Sequence, residues 1–243
     1  MREINLLDSV PKSQTQKIEK GWRIEENKKI AKLYGKEFFD GERVNGYGGY
    51  YYDGRWKKVA QKLKELYNLN QNSAVLDVGC AKSFLLYDLQ ELIPGIKVAG
   101  LDISEYAINK AMEGYAKYLI SNRIDEKKAK ILEEEAIKKI LPHLIIGSAE
   151  KLPFPDNSFD VVLSIDTIHN LPRENCAKAI KEMIRICKNK RDMFIKVDAY
   201  RNKEEKERME AWVLTAETSM STDEWLEFFK ENGYDGDYFW TLF

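Results

Sequence analysis

The sequence predicts a doubly wound, mostly parallel α/β sheet with helices on both faces. Short β-branched apolar runs alternate with amphipathic stretches through the middle of the chain, and runs apolar throughout indicate strands buried on both sides. These runs end in small or acidic residues, at the strand ends where open α/β sheets bind ligands. No repeat, low-complexity tract or linker divides the 243 residues.

Each element follows from its local pattern. Residues 74–78 form the first apolar run, and 84–93 follow with helical spacing. Residues 97–101 form the second run, after which Ser104 caps a helix. Residues 121–141 insert an extra charged helix with Ile124, Ala129, Leu132, Ala136 and Ile140 on one face. Runs three to five are 144–146, 159–165 and 193–197, with a helix at about 172–187 between the last two. A capping box, Ser221 to Glu224, opens a helix that Gly233 stops. Residues 237–243 predict a last strand, expected in an antiparallel slot. Residues 1–69 lie before this rhythm and are expected to form a helical cap, with the aromatic, glycine-rich stretch around Tyr47–Trp56 as a lid. Residues 70–243 are expected to form the catalytic α/β domain, insert included.

Bulk composition narrows the function. The chain is 44% hydrophobic and 33% charged, a globular profile. No apolar stretch approaches the ~20 residues of a membrane span, and the N-terminus lacks the apolar core of a secretory signal, so the expected location is cytoplasmic. Cys80, Cys176 and Cys187 are odd in number and include no CxxC pair, so neither a disulfide scaffold nor a metal cluster is expected. A net charge of −1 disfavours nucleic acid as a partner. The expected partner is a small-molecule acceptor, and the expected state a monomer or homodimer.

The residues after each run form a pattern. The first run leads into Asp77, Gly79, Cys80 and Ala81; the second ends at Asp102, followed by Ile103; the third precedes Ser148, Ala149 and Glu150; the fourth ends at Ile165 and Asp166, before His169. In that order they resemble the class I S-adenosylmethionine-dependent methyltransferases, over about residues 73–197. The acid two residues before Gly79 is similar to the family's first motif. Asp102 matches its ribose-binding acid, and residues 148–154 the stretch that contacts adenine. The segment from His169 to Pro172 resembles the His-x-Leu turn after the fourth strand. The resemblance implies a Rossmann-like sheet, S-adenosylmethionine as cofactor with S-adenosylhomocysteine as product, and no metal. Its implied cofactor contacts are Asp77, Gly79, Cys80, Ala81, Asp102, Ile103, Ser148, Ala149, Glu150 and Ile165. Ala81 and Ser83 stand where the family usually has glycine, and Ser148 where many relatives have aspartate. The rival nicotinamide dehydrogenase needs G-x-G-x-x-G after the first strand, and only Gly79 is present.

An alcohol acceptor must lose a proton, so a base is expected near the methyl group. His169, past the fourth run, is the expected base, with Asp166 and Asp198 as further catalytic candidates. Tyr47, Tyr50, Tyr51 and Tyr200 are expected to contact substrate, and Arg55 the cofactor carboxylate. The Asn-Pro-Pro-aromatic motif of many adenine and glutamine N-methyltransferases is absent after the fourth run. The expected reaction is O-methylation of a sugar, nucleotide-linked metabolite or natural-product intermediate. The alternatives are N- or C-methylation, a tRNA or protein acceptor, or a non-catalytic S-adenosylmethionine-binding protein.

Overall fold

Runs that are apolar on both sides can be satisfied only inside a covered sheet, and the computed structural model, which describes residues 1–10 and 21–243, places them there. The chain opens with β1 (Arg2–Glu3), then α1 (Glu25–Ala31), α2 (Lys36–Phe39) and α3 (Trp56–Leu66). Next come β2 (Ala74–Val78), α4 (Phe84–Leu92), β3 (Lys97–Asp102), α5 (Glu105–Asn109), α6 (Tyr115–Ser121) and α7 (Glu126–Ile140). The second half holds β4 (Leu144–Ile146), β5 (Val161–Ile165), α8 (Arg173–Ile186), β6 (Met193–Asp198), α9 (Lys203–Trp212), α10 (Thr222–Glu231) and β7 (Asp237–Thr241). The sheet order is β1-β7-β6-β5-β2-β3-β4, and every pairing is parallel.

Alternation along the strands builds two cores. Leu76, Val162 and Ile195 pack with Ile180 and Met183 of α8 and Trp225 and Phe229 of α10. Val75, Leu163 and Phe194 pack with Val59 and Leu63 of α3 and Leu86 and Leu89 of α4. The local signals are realised: Ser104 Oγ accepts from the Ala107 N–H, and the Ser221–Glu224 capping box opens α10. In α7, Ala129, Ala136 and Ile140 are buried, so the insert packs by one face.

Two expectations are corrected. The last strand does not run antiparallel: the long connection through α9 and α10 returns the chain to the starting edge, and β7 pairs with β6 in parallel. Nor do residues 1–69 lie wholly outside the sheet, because Arg2–Glu3 add a strand beside β7. Two residues carry no periodicity; the pairing is fixed by tertiary partners, with Arg2 bonding both carboxylate oxygens of Asp237 at 2.8 Å. Part of the expected cap, residues 11–20, lies outside the described residues.

The aromatic stretch is anchored at several points. Tyr52 is buried, with its hydroxyl 2.5 Å from Asp88 and its ring edge-on to Phe84, Tyr115 and Tyr118. The Tyr50 ring stacks on Phe84, and its N–H donates to Asp40. Asp40 in turn receives two bonds from the buried Lys82 ammonium, which also reaches Glu113. The segment after α2 is thereby tied to the loop that follows β2.

Candidate active site

A parallel sheet brings its carboxyl ends to one edge, and there the chain forms a cavity of about 600 Å³. The floor comes from the loop after β2. Gly79 has φ +86°, and a Cβ there would lie 2.0 Å from Thr167 Oγ1, so only glycine fits against the loop after β5. Ala81 and Ser83, with φ of 47° and 64°, hold the left-handed conformation despite their side chains. The loop therefore keeps a glycine-like path at the positions where the family usually has glycine.

Asp102 ends β3 in the cavity wall. Its Oδ1 accepts from the Ser104 N–H and its Oδ2 from the Ala81 N–H, both at 2.8 Å, so the carboxylate is fixed in orientation and bound to the β2 loop. Burial pushes its carboxyl upward, against these bonds. Ile103, exposed and apolar, stands beside it, and Ser148, Ala149 and Ile165 complete this side. A carboxylate for the ribose hydroxyls, an apolar side chain for the base and a close-approach loop fit S-adenosylmethionine.

Not all expected cofactor residues reach the cavity. Asp77 is buried beneath the loop with Oδ1 unpartnered, and burial together with the charge of Asp102 raises it to about 7. The Cys80 side chain turns inward over Gly100, and burial pushes its thiol well up. Glu150 also lies outside the lining, because the turn after Ser148 carries it past the wall. Arg55 lines the cavity, but its guanidinium is held by Asp53 at 2.5–2.9 Å.

Across the cavity, β5 and β6 deliver the reactive candidates. Asp166, in the left-handed conformation at φ 54°, receives two bonds from Lys196 Nζ, at 2.5 and 2.7 Å. His169 is 4% exposed. Its Nδ1 accepts from the Asp198 N–H at 3.3 Å, and its Nε2 lies 3.5 Å from Asp198 Oδ2. Both ring nitrogens therefore face one residue, so the expected free lone pair of His169 is already used. Burial raises the Asp198 carboxyl, and the charge of Asp166 adds to the effect against the opposing pull of His169 and Lys196.

Of the expected substrate tyrosines, only Tyr47 lines the cavity. Loss of hydration raises its hydroxyl, as do the charges of Asp166, Asp102 and Asp198, while the residue as a whole stays 43% exposed. Tyr50 packs behind it, with ring centres 4.7 Å apart. Tyr51 faces Lys82 outside the cavity, and the Tyr200 hydroxyl turns to Glu224 on α10. The sequence reading missed Arg23, Arg43, Lys196, Trp212 and Phe243 in the lining. A lysine inside the apolar 193–197 run was a usable signal for Lys196; the others lie on segments without a motif. No group of three or more potential His, Cys, Asp or Glu metal ligands occurs among the described residues, and none of their helices is long and apolar enough to cross a membrane.

Fold and site together define a class I methyltransferase. Residues 69–233 match the model of a methyltransferase domain family, and the chain belongs to the class I S-adenosylmethionine-dependent methyltransferases. Curated relatives include the demethylmenaquinone methyltransferases of Listeria welshimeri, 27% identical over 161 residues, and of Geobacillus stearothermophilus, 31% identical over 135. The matches cover 66% and 55% of this chain but 58% and 47% of those proteins. Among solved structures, the cyclase SpnF aligns with a TM-score of 0.52 at 16% identity, over 77% of this chain and 61% of its own. YcgJ of Bacillus subtilis aligns with a TM-score of 0.50 at 19% identity, over 71% and 66%. Both share the fold.

Proposed function

We propose that this protein methylates a small polar acceptor at oxygen, with Asp198 as the base that takes the hydroxyl proton. The observation that carries the reading is the continuity of one cavity from Asp102 and the β2 loop to Asp166, His169 and Asp198. When bound, S-adenosylmethionine supplies an electrophilic methyl group and a neutral leaving group. The chain's own residues do the rest. Asp102 holds the ribose hydroxyls, while the loop backbone at Gly79–Ala81 borders the methionine side. Burial weakens the acidity of Asp198, which makes its carboxylate a stronger base than an exposed one. His169 is a positioning residue: its Nδ1 fixes the Asp198 main chain, and its Nε2 faces the carboxylate. Tyr47 and the Lys196–Asp166 pair present polar groups to orient the acceptor.

The size of the cavity suits a metabolite such as a sugar, a nucleotide-linked compound or a natural-product intermediate. A ring-shaped acceptor is favoured by the aromatic walls of Phe38, Tyr47, Trp212 and Phe243. The name of the demethylmenaquinone relatives points instead to a quinone ring, and gives methylation of a ring at carbon as the second reading. The 46–56 stretch is read as the cavity's cover, with residues 1–69 as the cap and 70–243 as the catalytic domain. The test is an acceptor screen with S-adenosylmethionine, read as S-adenosylhomocysteine release. Turnover on hydroxylated small molecules with the methyl on oxygen supports the proposal; turnover only on tRNA or protein refutes it.

A further inference from the structure

Two guanidiniums in the cavity wall lack a carboxylate partner among the described residues. The other lining cations are paired: Lys32 with Glu217 at 3.0 Å, Arg55 with Asp53, and Lys196 with Asp166. Arg23 and Arg43 instead flank one indole, their guanidinium carbons 4.5 and 4.9 Å from the Trp212 ring centre. Their N–H groups go to main-chain carbonyls: Arg23 to those of Trp212, Arg43 and Gly46, and Arg43 to that of Gly46. Carbonyl oxygens satisfy hydrogen bonds but bring no net negative charge. Arg23 is only 9% exposed, and its Nε is buried without a partner. Burial, and after it the charge of Arg43, lower Arg23 to about 10, and burial lowers Arg43.

We propose that Arg23, Arg43 and Trp212 form a subsite for an anionic group, a carboxylate or a phosphate, carried by the methyl acceptor. This rests on reading the cavity as a methyl-transfer site. Guanidinium forks match the planar geometry of such anions, and a negative group beside them removes the like-charge repulsion. Along the sheet edge, Trp212 stands apart from Asp102, the proposed ribose acid. Trp212 ends α9, which follows β6, and packs on Phe243 beyond β7. Asp102 ends β3, and β2 and β5 lie between β3 and β6.

The test uses benzoate and phenyl phosphate as probes, with benzamide as the neutral shape match, titrated by calorimetry into the full chain saturated with S-adenosylhomocysteine. At least one anion should bind about tenfold or more tightly than benzamide. Arg43→Gln should erase that preference and Arg43→Lys should keep part of it. Should Arg43→Gln fold poorly by circular dichroism, ionic strength gives the same information on the wild type, where salt should weaken the anion and leave benzamide unchanged. Equal affinity for anion and amide, or a preference that survives Arg43→Gln, overturns the proposal. So does an anion that binds only by competing with S-adenosylhomocysteine, because the arginines then serve the cofactor. A wild type that fails to bind S-adenosylhomocysteine at all refutes the methyl-transfer reading instead.

Discussion

Replacing Lys82 by methionine should lower stability by about 3–5 kcal/mol, the usual consequence of removing one partner of a buried ion pair. The Lys82 side chain is 0% exposed and Asp40 6%. The ammonium lies 2.9 and 2.8 Å from the two Asp40 oxygens and 2.7 Å from Glu113 Oε2. Methionine nearly conserves the volume, so the loss is electrostatic. Glu113 is partly exposed and has Lys110 at 3.4 Å, so it can turn to water; the burden falls on Asp40. Asp40 would keep only the Tyr106 hydroxyl, at 2.7 Å, and the Tyr50 N–H, at 3.1 Å. Equilibrium urea unfolding followed by circular dichroism should show a midpoint lower by roughly 1–3 M. A double-mutant cycle with Asp40→Asn should assign most of the loss to the pair. The pH dependence has a definite sign. Burial alone would raise Asp40, but hydrogen bonds from Lys82 and Tyr106 hold it below its ordinary value. A carboxyl depressed in the folded state stabilises above its unfolded pKa, about 3.9, and loses that contribution as pH falls through the folded value. The gap between wild type and Lys82→Met should therefore close in acid. A variant within about 1 kcal/mol of wild type at neutral pH would refute the reasoning, as would a gap indifferent to acid.

Asp102→Ala should weaken S-adenosylhomocysteine binding by about 1.5–3 kcal/mol, roughly 10- to 150-fold, measured by calorimetry; equal affinity would remove the ribose assignment. Asp198→Asn should lower kcat by ~10²–10⁴-fold with cofactor affinity preserved. Because burial raises the Asp198 carboxyl and the base must be ionised, wild-type activity should fall on the acid side at a pH above the ordinary carboxylate range. Ser83→Gly relieves a left-handed residue at a strain of about 1–2 kcal/mol, offset by ~0.4–1 kcal/mol of added unfolded-chain entropy. Its melting temperature should match or slightly exceed that of the wild type, and a clear drop would give the hydroxyl a structural role.

Local chemistry made one wall of the cavity legible. Asp102, Ile103, Ser148 and Ala149 sit directly after apolar runs, and a parallel sheet sends every run's end to the same edge. The capping groups of Ser104 and Ser221 were equally readable, because their partners lie three residues away. His169 marks where such reading stops. Its position after β5 was legible, but its ring nitrogens are engaged by Asp198, 29 residues later, and no spacing rule reports that.

The sequence by itself determined the alternation of strands and helices, the order of the ligand-facing turns and the family, since each is written in short-range periodicity and motif. The tertiary structure decided what depends on residues far apart in the chain. It set β7 parallel to β6, because α9 and α10 return the chain to the starting edge. It added Arg2–Glu3 as an edge strand through Asp237. It left Tyr51 and Tyr200 outside the cavity while bringing Arg23, Arg43 and Trp212 into its wall. Periodicity fixes which way a residue faces within its own element; which other element it meets is fixed only when the sheet closes its core.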